Sequence, residues 1–208
     1  MKFAICNETF QDWPLDRGFR FAAGCGYTGI EIAPFTLAQY VTAITPQQRA
    51  EVRRLADQCG LEVVGLHWLL AKTEGLHLTS PDPEVRRRTA GYLQELARCC
   101  ADLGGKVLVF GSPKQRDLLP GVSREQGMDH AEQVLRAVLP VLEQTDVVIA
   151  LEPLGPEETN FLVTTPDAVE LAERIGSSQV RLHLDCKAMA TEARPIPDLI
   201  REHRQMLA

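Results

Sequence analysis

The sequence contains no apolar run approaching the roughly 20 residues of a helical membrane span. Its opening, Lys2-Phe3-Ala4-Ile5-Cys6-Asn7-Glu8, reads as a short strand running into polar residues rather than as a signal peptide. Positive charge is also scarce: 22 Lys and Arg stand against 28 Asp and Glu, for a formal net charge of −6. Nucleic acid and anionic membranes both call for a basic face, so neither is an expected partner. A small anionic substrate needs only a local positive site and stays open. The six cysteines, Cys6, Cys25, Cys59, Cys99, Cys100 and Cys186, show no CxxC spacing. They are read as reduced thiols of a cytoplasmic protein, not as a disulfide frame or a zinc site. Linkers and low-complexity segments are missing too, and 208 residues suffice for one sizeable domain, expected to span 1–208, but not for two ordinary ones.

What the chain does contain is a βα repeat. Short apolar runs rich in Val, Ile and Leu recur at Lys2–Ile5, Thr28–Ile32, Leu61–Leu66, Lys106–Phe110, Val147–Leu151 and Val180–Leu184. Such runs suit strands covered by helices. Helical segments follow them. One near Pro14–Ala23 ends at Gly24, Thr45-Pro46 opens one closed by Gly60, and Asp82-Pro83 opens one running to about Gly104. Ser123 caps a fourth, Thr165-Pro166 opens a fifth ending at Gly176, and a sixth covers Pro197–Leu207. Strict alternation means a parallel sheet with right-handed crossovers, either a doubly wound sheet or a (β/α) barrel. No GxGxxG follows the first strand, which removes the dinucleotide-binding version. Polar residues end most strands, as in a barrel whose active site draws on many strands.

The strongest chemical signal is a pair of carboxylates at successive strand ends. Val147–Leu151 leads into Glu152-Pro153, and Val180–Leu184 leads into Asp185. Neighbouring strands lie about 4.8 Å apart. Alternation places Asp185, His183 and Arg181 on one face and Leu182 and Leu184 on the other, with Glu152 sharing the face of Ala150 and Val148. Two lumen carboxylates so close repel unless a cation or a proton sits between them. The bland alternative is a pair of solvated loop residues.

Weaker candidates follow. Glu31, between Ile30 and Ile32, points into the barrel if the isoleucines face the helices; it is either a pocket residue or half of an ion pair, for instance with Arg181. His67, ending the third run, is either a ligand or a packed histidine. Trp68 either floors a sugar pocket or packs. Glu158, Thr159 and Asn160 are either substrate contacts or a solvated loop. His183 reads as an interior histidine, and His77, His130 and His203 as surface or helix residues.

Gly26-Tyr27-Thr28-Gly29-Ile30-Glu31-Ile32, Gly65-Leu66-His67-Trp68, Leu151-Glu152-Pro153, Glu158-Thr159-Asn160 and His183-Leu184-Asp185, in this order, resemble the xylose-isomerase-like sugar-phosphate isomerase/epimerase family. That family includes ketose 3-epimerases and hydroxypyruvate-isomerase-like enzymes. The resemblance implies an α/β TIM barrel and a divalent metal (Mn, Mg, Co or Zn) held by Glu, Asp, His and Glu from strands five to eight. Glu152 and Asp185 match the first two ligands. Glu158 matches a glutamate contacting sugar hydroxyls, and Glu31, His67 and Trp68 fall at pocket positions. The implied reaction is proton transfer next to a carbonyl of a small sugar or sugar phosphate, through an enediolate, with Glu152 as base or acid.

Ketose 3-epimerases usually carry a substrate-binding histidine three residues after the strand-six aspartate, where this chain has Ala188. Lys187 beside it is either a local positive charge or a solvated lysine. Six of eight βα units are expected, with strands seven and eight and their two ligands beyond Ala208. The chain alone is then expected to bind metal weakly and not to turn over substrate, with open edges on strands one and six that favour a homodimer. Two rivals are an endonuclease IV-like DNA-repair enzyme and a non-catalytic sugar-binding barrel. The first needs a histidine-rich zinc site, yet the fourth run ends Phe110-Gly111-Ser112 without histidine.

Overall fold

The structure, a computed structural model, describes residues 2–208. Six strands form one sheet: β1 (Ala4–Cys6), β2 (Gly29–Ile32), β3 (Glu62–Leu66), β4 (Val107–Phe110), β5 (Val148–Leu151) and β6 (Val180–Leu182). Each pairs in parallel with the next, so spatial order equals chain order. A doubly wound sheet reverses its strand order partway across. An unreversed parallel order is the arc of a barrel, and this arc is not closed between β1 and β6.

The helices are α1 (Leu15–Gly24), α2 (Pro46–Gln58), α3 (Pro83–Leu103), α4 (Arg124–Thr145), α5 (Thr165–Ile175), α6 (Cys186–Met189) and α7 (Ile196–His203). Their starts follow from local hydrogen bonding. Thr45 with Gln48, and Ser123 with Gln126, form reciprocal caps, while the Asp82 carboxylate accepts from the Glu84 N–H. The start of α5 lies one residue earlier than the sequence suggests. Thr164 is the cap: its extended backbone lets its side chain accept from the Asp167 N–H, and Asp167 closes the box; the Thr165 N–H and hydroxyl both donate to Glu192 Oε1 at 2.9 and 2.6 Å.

Side-chain alternation sorts the sheet into two faces. Ile30, Ile32, Leu66, Leu108, Phe110, Ile149, Leu151 and Leu182 join the core shared with helix residues such as Leu93, Leu96, Leu135 and Leu171. Val109 and Ala150 are buried but lie outside that cluster, on the lumen face with Glu31 and Arg181. At Gly65 a side chain would collide with the backbone of Val107, so only glycine lets β3 pair with β4 at this register.

The C-terminal end departs from expectation. The sixth run ends as a strand at Leu182, two residues short, and the short helix α6 begins almost at once. The last long helix ends at His203 rather than running through Leu207. Met206–Ala208 instead return to the free edge of β6. The Leu182 N–H donates to the Met206 carbonyl at 2.8 Å, the Ala208 N–H donates to the Leu182 carbonyl at 3.1 Å, and Leu207 forms a parallel bridge to Leu182. Unpaired edge groups need partners, and the Arg181 guanidinium, donating to the carbonyls of Gln205 and Leu207, fixes this return. The edge of β6 is therefore partly covered and a seventh strand position is begun.

Candidate active site

The register places the site residues. Val109, Ala150 and Arg181 are aligned across β4, β5 and β6. Two residues further along lie Gly111, Glu152 and His183, past the strand ends on the same face. Glu152 is only 5% exposed. A side chain on Gly111 would overlap Glu152 Oε2, so the missing side chain of one strand end is the space occupied by the carboxylate of the next. Glu152 Oε1 lies 3.5 Å from His183 Nε2, and Oε2 lies 3.9 Å from His67 Nε2. Burial raises the proton affinity of Glu152 and the nearby Asp185 charge adds to it, against the lowering influence of His183, His67 and Arg116.

A second carboxylate–histidine pair flanks it. Glu31 Oε2 lies 3.3 Å from His67 Nδ1. A carboxylate only accepts, so Nδ1 carries the proton and Nε2 is the nitrogen turned to Glu152. Burial works against ionisation of both partners. The hydrogen bond and the surrounding charges outweigh it, so the Glu31 carboxyl is held below its ordinary value and the His67 imidazole above its own. The Glu31–Arg181 pair entertained from sequence does not form, since Arg181 is committed to the C-terminal carbonyls. Trp68 is 38% exposed and stacks on His67, with ring centroids 5.8 Å apart. Its φ of 56° puts a bulky residue in the left-handed region, an arrangement concentrated at functional sites.

The β6 side is built differently. The Asp185 carboxylate accepts from the Lys187 N–H at 2.9 Å and caps α6. Lys187 is not simply solvated: its ammonium pairs with Glu158 from the loop after β5. Ala188 is buried in α6. Thr159 and Asn160 tie this loop to the segment after β4. Thr159 Oγ1 donates to Asp117 Oδ1 at 2.7 Å, the Asn160 N–H donates to the same oxygen at 3.1 Å, and Asn160 Oδ1 accepts from the Leu118 N–H at 2.6 Å.

Three neighbours of the site carry no mark in the sequence: Gly111 matters only through its neighbour strand, and Arg116 and Asp117 sit in the run Lys114-Gln115-Arg116-Asp117. His183 belongs to the His183-Leu184-Asp185 motif but by itself reads as an interior histidine. The signal that finds Gly111 and His183 is register: both lie level with Glu152.

Glu152 and Asp185 are hard oxygen donors whose mutual repulsion a divalent cation would relieve. Among the described residues, no three His, Cys, Asp or Glu side chains converge into a set that could hold a metal. No helix among the described residues is long and apolar enough to cross a membrane, and all six cysteines are free thiols.

The family model for the xylose isomerase-like TIM barrel matches residues 19–206. The chain is 28% identical over 211 residues to D-psicose 3-epimerase of Enterocloster bolteae, covering 97% of this chain and 67% of that protein. It is 26% identical over 179 residues to a probable ketose 3-epimerase of Synechocystis sp., covering 86% of this chain and 59% of that one. The crystal structure of D-psicose 3-epimerase with D-tagatose from Clostridium cellulolyticum H10 superposes with a TM-score of 0.85 at 20% identity, covering 100% of this chain and 71% of that one, a likeness of fold alone. The chain spans about two thirds or less of the length of these two sequence relatives. With nine-tenths of its residues inside the family model and the same parallel arc of strands, the chain belongs to the xylose isomerase-like TIM barrel family.

Proposed function

We propose that the protein is an epimerase or isomerase of a small ketose or a related hydroxy-carbonyl sugar, acting by proton transfer at the carbon beside the carbonyl. The observation that carries this is Glu152: a buried carboxylate of raised proton affinity, seated in the space left by Gly111 and faced by two histidines. A general base working near neutral pH needs its proton affinity moved up toward that pH, and burial does so here. The names of the two sequence relatives, a D-psicose 3-epimerase and a probable ketose 3-epimerase, support the substrate class.

In this reading Glu152 serves one face of the substrate, removing the proton there as base in one direction of the reaction and supplying one there as acid in the other, through an enediolate. His67, fixed by Glu31, presents Nε2 to a sugar hydroxyl. Trp68 offers its exposed face to the sugar's carbon skeleton. Glu158, steadied by Lys187, reaches hydroxyls near the carbonyl. Inversion requires a proton carrier on the opposite face, which the family resemblance assigns to a strand-eight glutamate. Glu152 and Asp185 are the residues that would hold a divalent metal, and a bound metal would polarise the carbonyl as a Lewis acid. Six free thiols support a cytoplasmic setting. The net charge of −6 and the histidine-free end of β4 weigh against a DNA-repair endonuclease.

The test is turnover of a panel of ketoses by the gene product at its full encoded length, with Mn²⁺, Mg²⁺ or Co²⁺ supplied and with chelator. Metal-dependent interconversion that disappears in Glu152→Gln supports the proposal. Unchanged activity in that variant overturns it.

A further inference from the structure

Behind Glu152 lies a fully buried charge that the reaction itself does not use. Arg116 is 0% exposed, the largest fully buried side chain among the described residues. Its Nη1 donates to the Glu152 carbonyl at 2.7 Å and, more weakly, to the Phe110 carbonyl at 3.4 Å, while Nη2 donates to the Leu162 carbonyl at 3.1 Å. Its Nε has no partner. Burial pulls its pKa down to about 10, against the pull of Glu152, Asp117 and Glu158, so it remains charged at neutral pH. A buried guanidinium is costly where apolar residues could fill the same volume. What it does here is join three places: the end of β4, the backbone of Glu152 itself, and Leu162 at the far end of the loop that begins after β5.

The next residue completes the grip. Asp117 Oδ1 accepts from Thr159 Oγ1 and from the Asn160 N–H, and Asn160 in turn brackets the Leu118 backbone through both ends of its amide. Thr159 and Asn160 directly follow Glu158. The loop after β5 is therefore held at its start and end by Arg116 and in its middle by Asp117.

We infer that Arg116 and Asp117 are positioning residues with separate tasks. Arg116 fixes the backbone, and with it the carboxylate, of Glu152; Asp117 fixes the loop that presents Glu158 to the sugar. This rests on the proposed function for its kinetic consequence, but not for its structural one. Misplacing a reacting group by about 1 Å costs on the order of 10²-fold in rate. Arg116→Met is therefore expected to lower kcat about 10²-fold with KM within a few-fold of wild type, and Arg116→Lys, which keeps the charge but not the fork, to recover part of that loss. Asp117→Ala is expected to raise KM about tenfold with a smaller change in kcat, because it frees the substrate-contacting loop and leaves the Glu152 backbone held.

Hydrogen exchange of the non-proline amides from 154 to 162, on the same purified variants, gives a readout independent of turnover. Arg116→Met should speed exchange across the whole loop, whereas Asp117→Ala should speed it only around 158–160. If the wild type proves inactive on every ketose tried, the proposed function fails while the exchange pattern still tests the clamp. The clamp is overturned if Arg116→Met leaves loop exchange unchanged, or if both variants alter kcat and KM alike in proportion to lost thermal stability. Should Arg116→Met not fold, Arg116→Lys and Asp117→Ala carry the same split.

Discussion

The ends of β5 and β6 carry the same sequence feature, a carboxylate just past an apolar strand, yet the fold treats them oppositely. Glu152 is buried, backed by Arg116 through its own carbonyl and faced by His67 and His183. Asp185 is half-buried, and its carboxylate accepts from the Lys187 N–H of a four-residue helix. The difference lies in the neighbours. β5 has partners on both sides, and Gly111, just past β4, leaves a socket for its carboxylate. β6 has a full strand on one side only, with a single bridge from Leu207 on the other. Walls that exclude water raise a carboxyl's proton affinity, as at Glu152.

The largest expected effect is on the β5 side. Glu152→Gln should lower kcat by about 10³-fold or more, with a melting temperature equal to or above that of wild type, since it removes a charge whose burial is unfavourable. A clear drop in melting temperature would instead mark Glu152 as structural. Gly111→Ala comes next: its added methyl displaces the carboxylate, and a loss of around 10²-fold in kcat is expected with the circular dichroism spectrum unchanged. Normal kcat there would mean that the socket does not position Glu152. Asp185→Asn should act on metal rather than on fold. Asparagine caps a helix as well as aspartate, so α6 should persist, while divalent-metal affinity by titration should fall roughly tenfold or more.

The smallest effect lies away from both strand ends. Burial works to raise the Asp167 pKa, but its bonds with Arg124 and Thr164 outweigh this and hold it below the ordinary value. A carboxyl so depressed contributes stability that is present above its unfolded-state value, about 3.9, and is lost as pH falls through the lower folded-state value. Asp167→Asn should therefore reduce the melting temperature by a few degrees at pH 7 and by less near pH 3, leaving kcat untouched. Equal reductions at the two pH values would remove the ion pair from the explanation.

The fold was legible because each strand advertises itself as a bounded apolar run and each long helix by its cap, and both are local properties. Glu152, Glu31 and His67 were legible for the same reason: strand-end position and alternation fix which way a side chain points. What could not be read is what depends on register between strands. Gly111 gains its meaning from lying beside Glu152, and Arg116 sits in a polar run that resembles any solvated turn until β4, β5 and the following loop close around it. The alternation argument also weakened at Asp185, because β6 stops at Leu182 and the chain turns into α6 before the aspartate is reached.

The central claim, proton transfer by Glu152 at the carbon beside a sugar carbonyl, is tested most directly by isotope exchange. The gene product, with Mn²⁺ supplied, is incubated with a ketose in D₂O, and the recovered sugar is examined by NMR for deuterium at the carbon adjacent to the carbonyl. Deuterium should enter that carbon alone with wild type, and should not enter with Glu152→Gln. Product formed without deuterium, or equal incorporation by the two proteins, would contradict a Glu152-centred proton transfer.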